Sequence, residues 1–238
     1  MKKAVGFDQK ILLRHMDFVV RELPRTEQLQ DLYDIVDQYL TADIAGAKSR
    51  KNARTILFKI WVHVSEEHEG LREEALAFCN HAMHDERKAI HWGMTLLAYP
   101  FFADLVSDLG NLLNIQREVP SAQIYRMIKA RYGDRRRVEV SVSAALTTLR
   151  EWGMIHSPRP GVQTIPKERI PIWSVEIKQW LSEVLLRVTD ACSLPMDMLR
   201  NHPLLFPFHM DMSSEELDRD RFHVIRQGVN QRVVALKS

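Results

Sequence analysis

Eleven side chains between positions 135 and 169 are of types that do chemistry on a polyanion. Arg135, Arg136 and Arg137 form a run, Ser141, Ser143, Thr147, Thr148 and Arg150 follow it, and Arg159, Lys167 and Arg169 come after. Guanidinium groups meet phosphate oxygens through paired, charge-assisted hydrogen bonds. Small hydroxyls can either donate to or accept from a base edge, and they allow close approach. The chemistry expected of this set is binding, with the cations holding phosphates and Ser143 and Thr147 supplying sequence preference.

These side chains need elements to carry them, and the surrounding pattern provides candidates. Ser121 opens an amphipathic helix in which Ile124, Met127 and Ile128 recur at helical spacing, and Gly133 closes it. After the arginine run a second helical pattern has Val142, Leu146 and Leu149 on one face, which turns Ser143, Thr147 and Thr148 away from that face. Past Gly153 the period changes to two, predicting a strand at 154–157, a Pro-Arg-Pro-Gly turn at 158–161 and a returning strand at 162–165. The arginine run then precedes the second helix, where the edge of a groove would lie, and Arg159 sits at the hairpin tip with Lys167 and Arg169 behind it. Trp152 is expected to anchor the second helix to this hairpin.

Helix, helix, hairpin over residues 119–172 is the order of a winged helix-turn-helix. The stretch SVSAALTTLREWGMIH, with Leu146 and Leu149 followed by a Gly-Met-Ile step, resembles the recognition-helix ending of winged helix-turn-helix DNA-binding proteins. That resemblance implies that the second helix enters the major groove of double-stranded DNA while flanking basic residues hold the backbone.

Charge is distributed to match. The whole chain carries only +2, but residues 121–170 hold ten Lys/Arg against four acids, a local +6 that leaves −4 for the rest.

The remainder reads as mainly α. Apolar stripes predict helices over 8–23, 26–40, 53–64, 71–83, 85–97 and 101–113, with a polar loop at 41–52, Asp85 as a cap and Pro100 breaking the apolar stretch 89–106 in two. After the hairpin come a helix over 173–190, a Pro-interrupted stretch containing a strand near 204–210, a helix from a Ser213/Glu216 capping box to Gly228, and a terminal strand over 231–236. The terminal strand is expected to pair with 204–210 or with another chain. The organisation expected is an N-terminal helical bundle (1–118), a central winged helix-turn-helix (119–172) and a small α/β C-terminal region (173–238).

Cys79 and Cys192 have no local partner and fit reduced, buried thiols. The N-terminus lacks a secretory apolar region and no stretch reads as transmembrane, so a cytoplasmic protein without a membrane partner is expected.

His63, His68, His81, His84 and His91 cluster in sequence, yet no Glu-x-x-His, His-Glu-x-x-His or cysteine pair accompanies them, so no metal is expected. No glycine-rich phosphate loop or Gly-x-Ser-x-Gly elbow is present, and the adjacent acid pairs do not share a helix face; neither catalysis nor a cofactor is expected. Most of the five tryptophans lie on apolar stripes and read as core. Two other readings stay open: a non-catalytic scaffold whose basic surface docks a partner protein, and RNA binding through Lys48, Arg50 and Lys51.

The order of a multi-helix N-terminal half, the apolar segment IHWGMTLLAYPFFADLV and then a turn unit ending LTTLREWGMI is similar to the BrxA family of BREX phage-exclusion systems. This resemblance implies non-catalytic duplex DNA binding alongside other subunits of a defence complex. The C-terminal third here is longer than that order accounts for.

Overall fold

The computed structural model describes residues 4–227 and 231–237. It is mainly helical, with small sheets. Six helices form the first half: α1 (Leu13–Glu22), α2 (Leu29–Leu40), α3 (Ala47–Trp61), α4 (Glu69–Cys79), α5 (His84–Ala98) and α6 (Pro100–Ile115). Pro100 fits the first turn of α6 because that position needs no N–H donor, and α5 and α6 meet there at a bend of 118°. Among the described residues no single helix is long and apolar enough to cross a membrane.

Some sequence expectations need correction here. The polar stretch 41–52 is a loop only as far as Gly46, because α3 begins at Ala47. Of its basic residues Arg50 reaches Asp37 of α2, as does Arg54 just beyond it, which also lies over the Tyr33 ring. Asp85 is in the first turn of α5, paired with Lys88, and does not cap it; Met83 holds the cap position.

A short strand β1 (Val119–Pro120) leads into α7 (Ser121–Tyr132), and Gly133, at φ +88°, turns the chain into α8 (Arg136–Glu151). Beyond Gly153 the chain makes a narrow hairpin. Its arms meet at a single bridge, His156 with Thr164, and β2 (Val162–Gln163) pairs antiparallel with β1. The two longer strands expected for this hairpin are thus reduced to one bridge, and β2 in its returning arm pairs with β1 from before α7.

In the last third β3 (Ile170–Pro171) pairs in parallel with β5 (Phe208–His209), flanking α9 (Val175–Val188), whose Ser174 cap accepts from the Ile177 N–H. A three-stranded antiparallel sheet follows, ordered β4 (Leu194–Pro195), β7 (Gln231–Leu236), β6 (Phe222–Gln227), with α10 (Met196–Asn201) beside it. The expected helix after Ser213 does not form. Glu216 does accept from the Ser213 N–H at 2.6 Å, but the chain then turns and residues 222–227 become a strand. The expected stop, Gly228, lies outside the described residues. The terminal strand pairs with β6 and β4, not with 204–210.

One hydrophobic core runs through all three stretches. Three buried indoles fasten it, each donating at 2.9 Å to a carbonyl far away in sequence: Trp92 to Leu204, Trp180 to Leu71 and Trp152 to Ile11. Trp152, the C-cap residue of α8, thus ties the end of that helix to the N-terminal segment. Trp173 is the exception among the five, at 67% exposure. Cys79 is buried as expected, whereas Cys192 is exposed.

Candidate functional site

The local order β1, α7, α8, β2 places two packed helices and a hairpin on one side of the molecule. In α8 the buried residues are Val138, Ser141, Val142, Ala145, Leu146, Thr148 and Leu149. This stripe is wider than Val142, Leu146 and Leu149 alone would make it, because α8 packs on α7 and on the N-terminal segment together. Ser141 and Thr148 therefore face inward, not toward a ligand. Thr148 Oγ1 accepts from the Ile11 N–H at 3.1 Å, and both residues are fully buried.

What α8 leaves outside is a stripe at helical spacing: Arg136, Val140, Ser143, Thr147 and Arg150. A cation stands at each end, roughly 21 Å apart along the axis, with small side chains between. The two acids of the helix adjoin this stripe, Glu139 four residues before Ser143 and Glu151 four after Thr147, and both are occupied. Glu139 accepts from Lys129 at 2.5 Å, and Glu151 pairs with Lys10 at 3.4 Å.

The arginine run is not a free knot ahead of the helix. Arg135 is the N-cap residue and donates to the Tyr132 carbonyl, whereas Arg136 and Arg137 sit in the first turn. Arg137 lies 3.5 Å from Asp8, and Arg159 at the hairpin tip folds back onto Glu118. Arg131 is held by Asp104 at 2.7 Å and Asp108 at 2.9 Å. Acids distant in sequence thus neutralise part of the local excess. Within residues 121–170, all of them described, Arg126, Arg136, Lys167 and Arg169 are left exposed without an ion pair.

Thr147 is also less available than its exposure suggests. Its hydroxyl donates to the Ser143 carbonyl at 2.8 Å and accepts from Arg150 Nη2 at 2.9 Å. Arg150 Nη1 donates to Gln163 Oε1 at 3.3 Å, and Gln163 Nε2 donates to Ser121 Oγ at 3.0 Å. This chain of polar contacts, running from α8 through β2 to the start of α7, walls a cavity of about 320 Å³ that Tyr125, Ser157 and Gly161 complete. Sequence reasoning missed Gln163 and Ser121. An isolated Gln in a two-residue strand carries no sequence signal, and Ser121 reads as a helix start.

Three of the five candidate histidines are occupied elsewhere, and among the described residues no group of three His, Cys, Asp or Glu is placed to hold a metal. His63 bonds the Tyr33 hydroxyl, His68 bonds Ser65, and His91 is buried against Asp17 at 3.1 Å. Burial lowers the pKa of His91, with Asp17 opposing that shift.

No family model, curated protein or solved structure matches this chain.

Proposed function

We propose that the chain binds double-stranded DNA without catalysis, with α7 and α8 acting as a helix-turn-helix and the hairpin at 156–164 as its wing. The observation that supports this most is the outer stripe of α8, exposed at Arg136, Val140 and Ser143 and half-buried at Thr147 and Arg150. Arg136 and Arg150 bracket Val140, Ser143 and Thr147, and the acids of the same helix are already paired. Small side chains between two cations let a helix lie close to a groove floor while its ends meet the backbones. Arg126, Lys167 and Arg169 add phosphate contacts outside the stripe, and Ser143 is the side chain best placed to meet a base edge. The similarity to BrxA supports placing this binding within a phage-exclusion complex. The apolar segment carrying that similarity, residues 90–106, is mostly core, with Trp92 packed on Phe102, so it bears on packing more than on partners.

The test is duplex binding over a salt series, wild type beside Arg136→Glu. A steep fall of affinity with salt that flattens in the variant supports the reading. Absence of duplex binding by the wild type at low salt overturns it.

A second reading, docking of a partner protein, is favoured by one observation. Trp173 is exposed while its backbone N–H, and that of Ser174, are fixed by the buried carboxylate of Glu86 at 3.1 and 2.7 Å. An exposed indole on a fixed backbone is the kind of side chain that anchors interfaces. Trp173→Ala with DNA binding intact and a complex lost in pull-down would favour docking.

A further inference from the structure

We infer that the cavity between the start of α7, the C-terminal half of α8 and the hairpin is an oxyanion site, built to take one phosphate group of a nucleic-acid backbone. The source of that phosphate rests on the DNA reading above; the chemistry of the cavity does not.

The argument begins with Arg150. It is half-buried, and both of its contacts are to neutral oxygens, Gln163 Oε1 and Thr147 Oγ1. The neighbouring cations Lys10, Lys129, Arg131, Arg137 and Arg159 each meet a carboxylate. A guanidinium has five N–H donors, and these two contacts leave others to point into the cavity. Withdrawing a cation partly from water without a counter-ion is unfavourable, and an entering anion relieves that cost. Because Gln163 and Thr147 already hold the fork in place, little side-chain freedom remains to be lost on binding.

The remaining wall is of the same character. Gln163 is 1% exposed and donates to Ser121 Oγ, so that hydroxyl acts as acceptor there and keeps its own proton for a ligand. Ser121 is the first residue of the twelve-residue α7; its own N–H is taken by the Gly161 carbonyl at 2.7 Å, and the backbone N–H groups that follow carry partial positive charge. Tyr125 and Ser143 bring further hydroxyls, and no carboxylate lines the cavity. Its volume of about 320 Å³ accommodates a phosphate group with attendant water. The charged group in the wall is a cation with spare donors, which selects an oxyanion over the edge of a base.

The experiment uses the full chain and two probes. Inorganic phosphate is titrated while the Arg150 side-chain and Ser143 amide resonances are followed by NMR. Duplex affinity is measured in parallel across salt. The expected result is a saturable response to phosphate that is lost in Arg150→Gln and kept in Arg136→Glu. Duplex affinity of Arg150→Gln should fall about tenfold or more, with the salt slope reduced by about 0.9, one phosphate contact. Since Arg150→Gln also removes two structural contacts, Ser143→Asp serves as a second variant: it keeps them and places a carboxylate on the cavity wall. If folded Ser143→Asp takes phosphate and duplex as wild type does, the site is overturned. Duplex binding that Arg150→Gln leaves unchanged, with silent cavity resonances, also overturns the site while leaving the DNA reading intact. A phosphate response without any duplex binding supports the oxyanion chemistry and overturns the nucleic-acid source.

Discussion

Trp152 and Ile11 are joined through the indole Nε1, which donates to the Ile11 carbonyl at 2.9 Å across 141 residues. The Ile11 N–H is taken by Thr148 Oγ1 of the same helix. Both backbone polar groups of one N-terminal residue, Ile11, are thus held by α8 and its C-cap residue. Trp152→Phe keeps an aromatic ring but strands a buried carbonyl, and should cost about 1–3 kcal/mol. Thr148→Val should strand the Ile11 N–H at a similar cost. Urea unfolding checks both, with the midpoint falling and the slope unchanged.

Two glycines mark where elements touch too closely for any side chain. A Cβ on Gly110 of α6 would lie 2.2 Å from the Pro203 carbonyl oxygen, and one on Gly93 of α5 would lie 2.5 Å from the Trp180 ring. Gly110→Ala should be the worse, because backbone must move; a loss of about 3 kcal/mol is expected. Gly70→Ala, in α4 with open space around it, should be neutral or stabilise by up to about 1 kcal/mol. Thermal melts of the three variants give the ranking.

Stability should fall in acid in two steps. Burial holds the His202 imidazole down to about 4, and its Nδ1 accepts from the Leu204 N–H at 3.2 Å, a bond that protonation at that nitrogen would destroy. The folded chain therefore resists a proton that the unfolded chain takes near 6.5. No cost exists above that pH; stability is lost as pH falls from 6.5 toward 4 and is level below. His202 alone contributes at most roughly 3 kcal/mol, less for its partial exposure. His15 and His91, also lowered by burial, act in the same direction. Asp43, hydrogen-bonded by Arg14 and His15, is held down at about 2, so its contribution is present above its ordinary value near 3.8 and is lost as pH falls toward 2. Urea midpoints against pH should show both steps. His202→Asn, which retains an acceptor for the Leu204 N–H, should flatten the first.

The two cysteines should differ sharply. Burial pushes the Cys79 thiol up to about 12, whereas Cys192 is exposed. A thiol reagent should modify one cysteine per native chain, at Cys192, and both in denaturant; peptide mapping checks the position.

The arginines should rank by what already holds them. Arg159 is engaged by Glu118 and Arg137 lies near Asp8, but Arg136 has no ion pair. Arg136→Ala should weaken duplex binding by about 1 kcal/mol, and Arg159→Ala by less, measured by fluorescence anisotropy at low salt.

Local rules were enough for the elements around this face. Ser121 and Gly133 bound α7 because a helix start and a left-handed stop depend on one or two residues, and Pro100 divides α5 from α6 for the same reason. Helical periodicity likewise placed Val142, Leu146 and Leu149 inside. Tertiary structure decided the rest. Ser141 and Thr148 are buried because a segment more than a hundred residues earlier lies against α8. The local +6 is reduced because Asp8, Asp104, Asp108 and Glu118 reach its arginines from outside. Residues 222–227 form a strand despite a helix signal at Ser213 and Glu216, because β7 supplies hydrogen-bond partners that no local pattern encodes. Short-range backbone preference is written in neighbouring residues; the partner of a charge, a hydroxyl or a strand edge is fixed only when distant segments pack together.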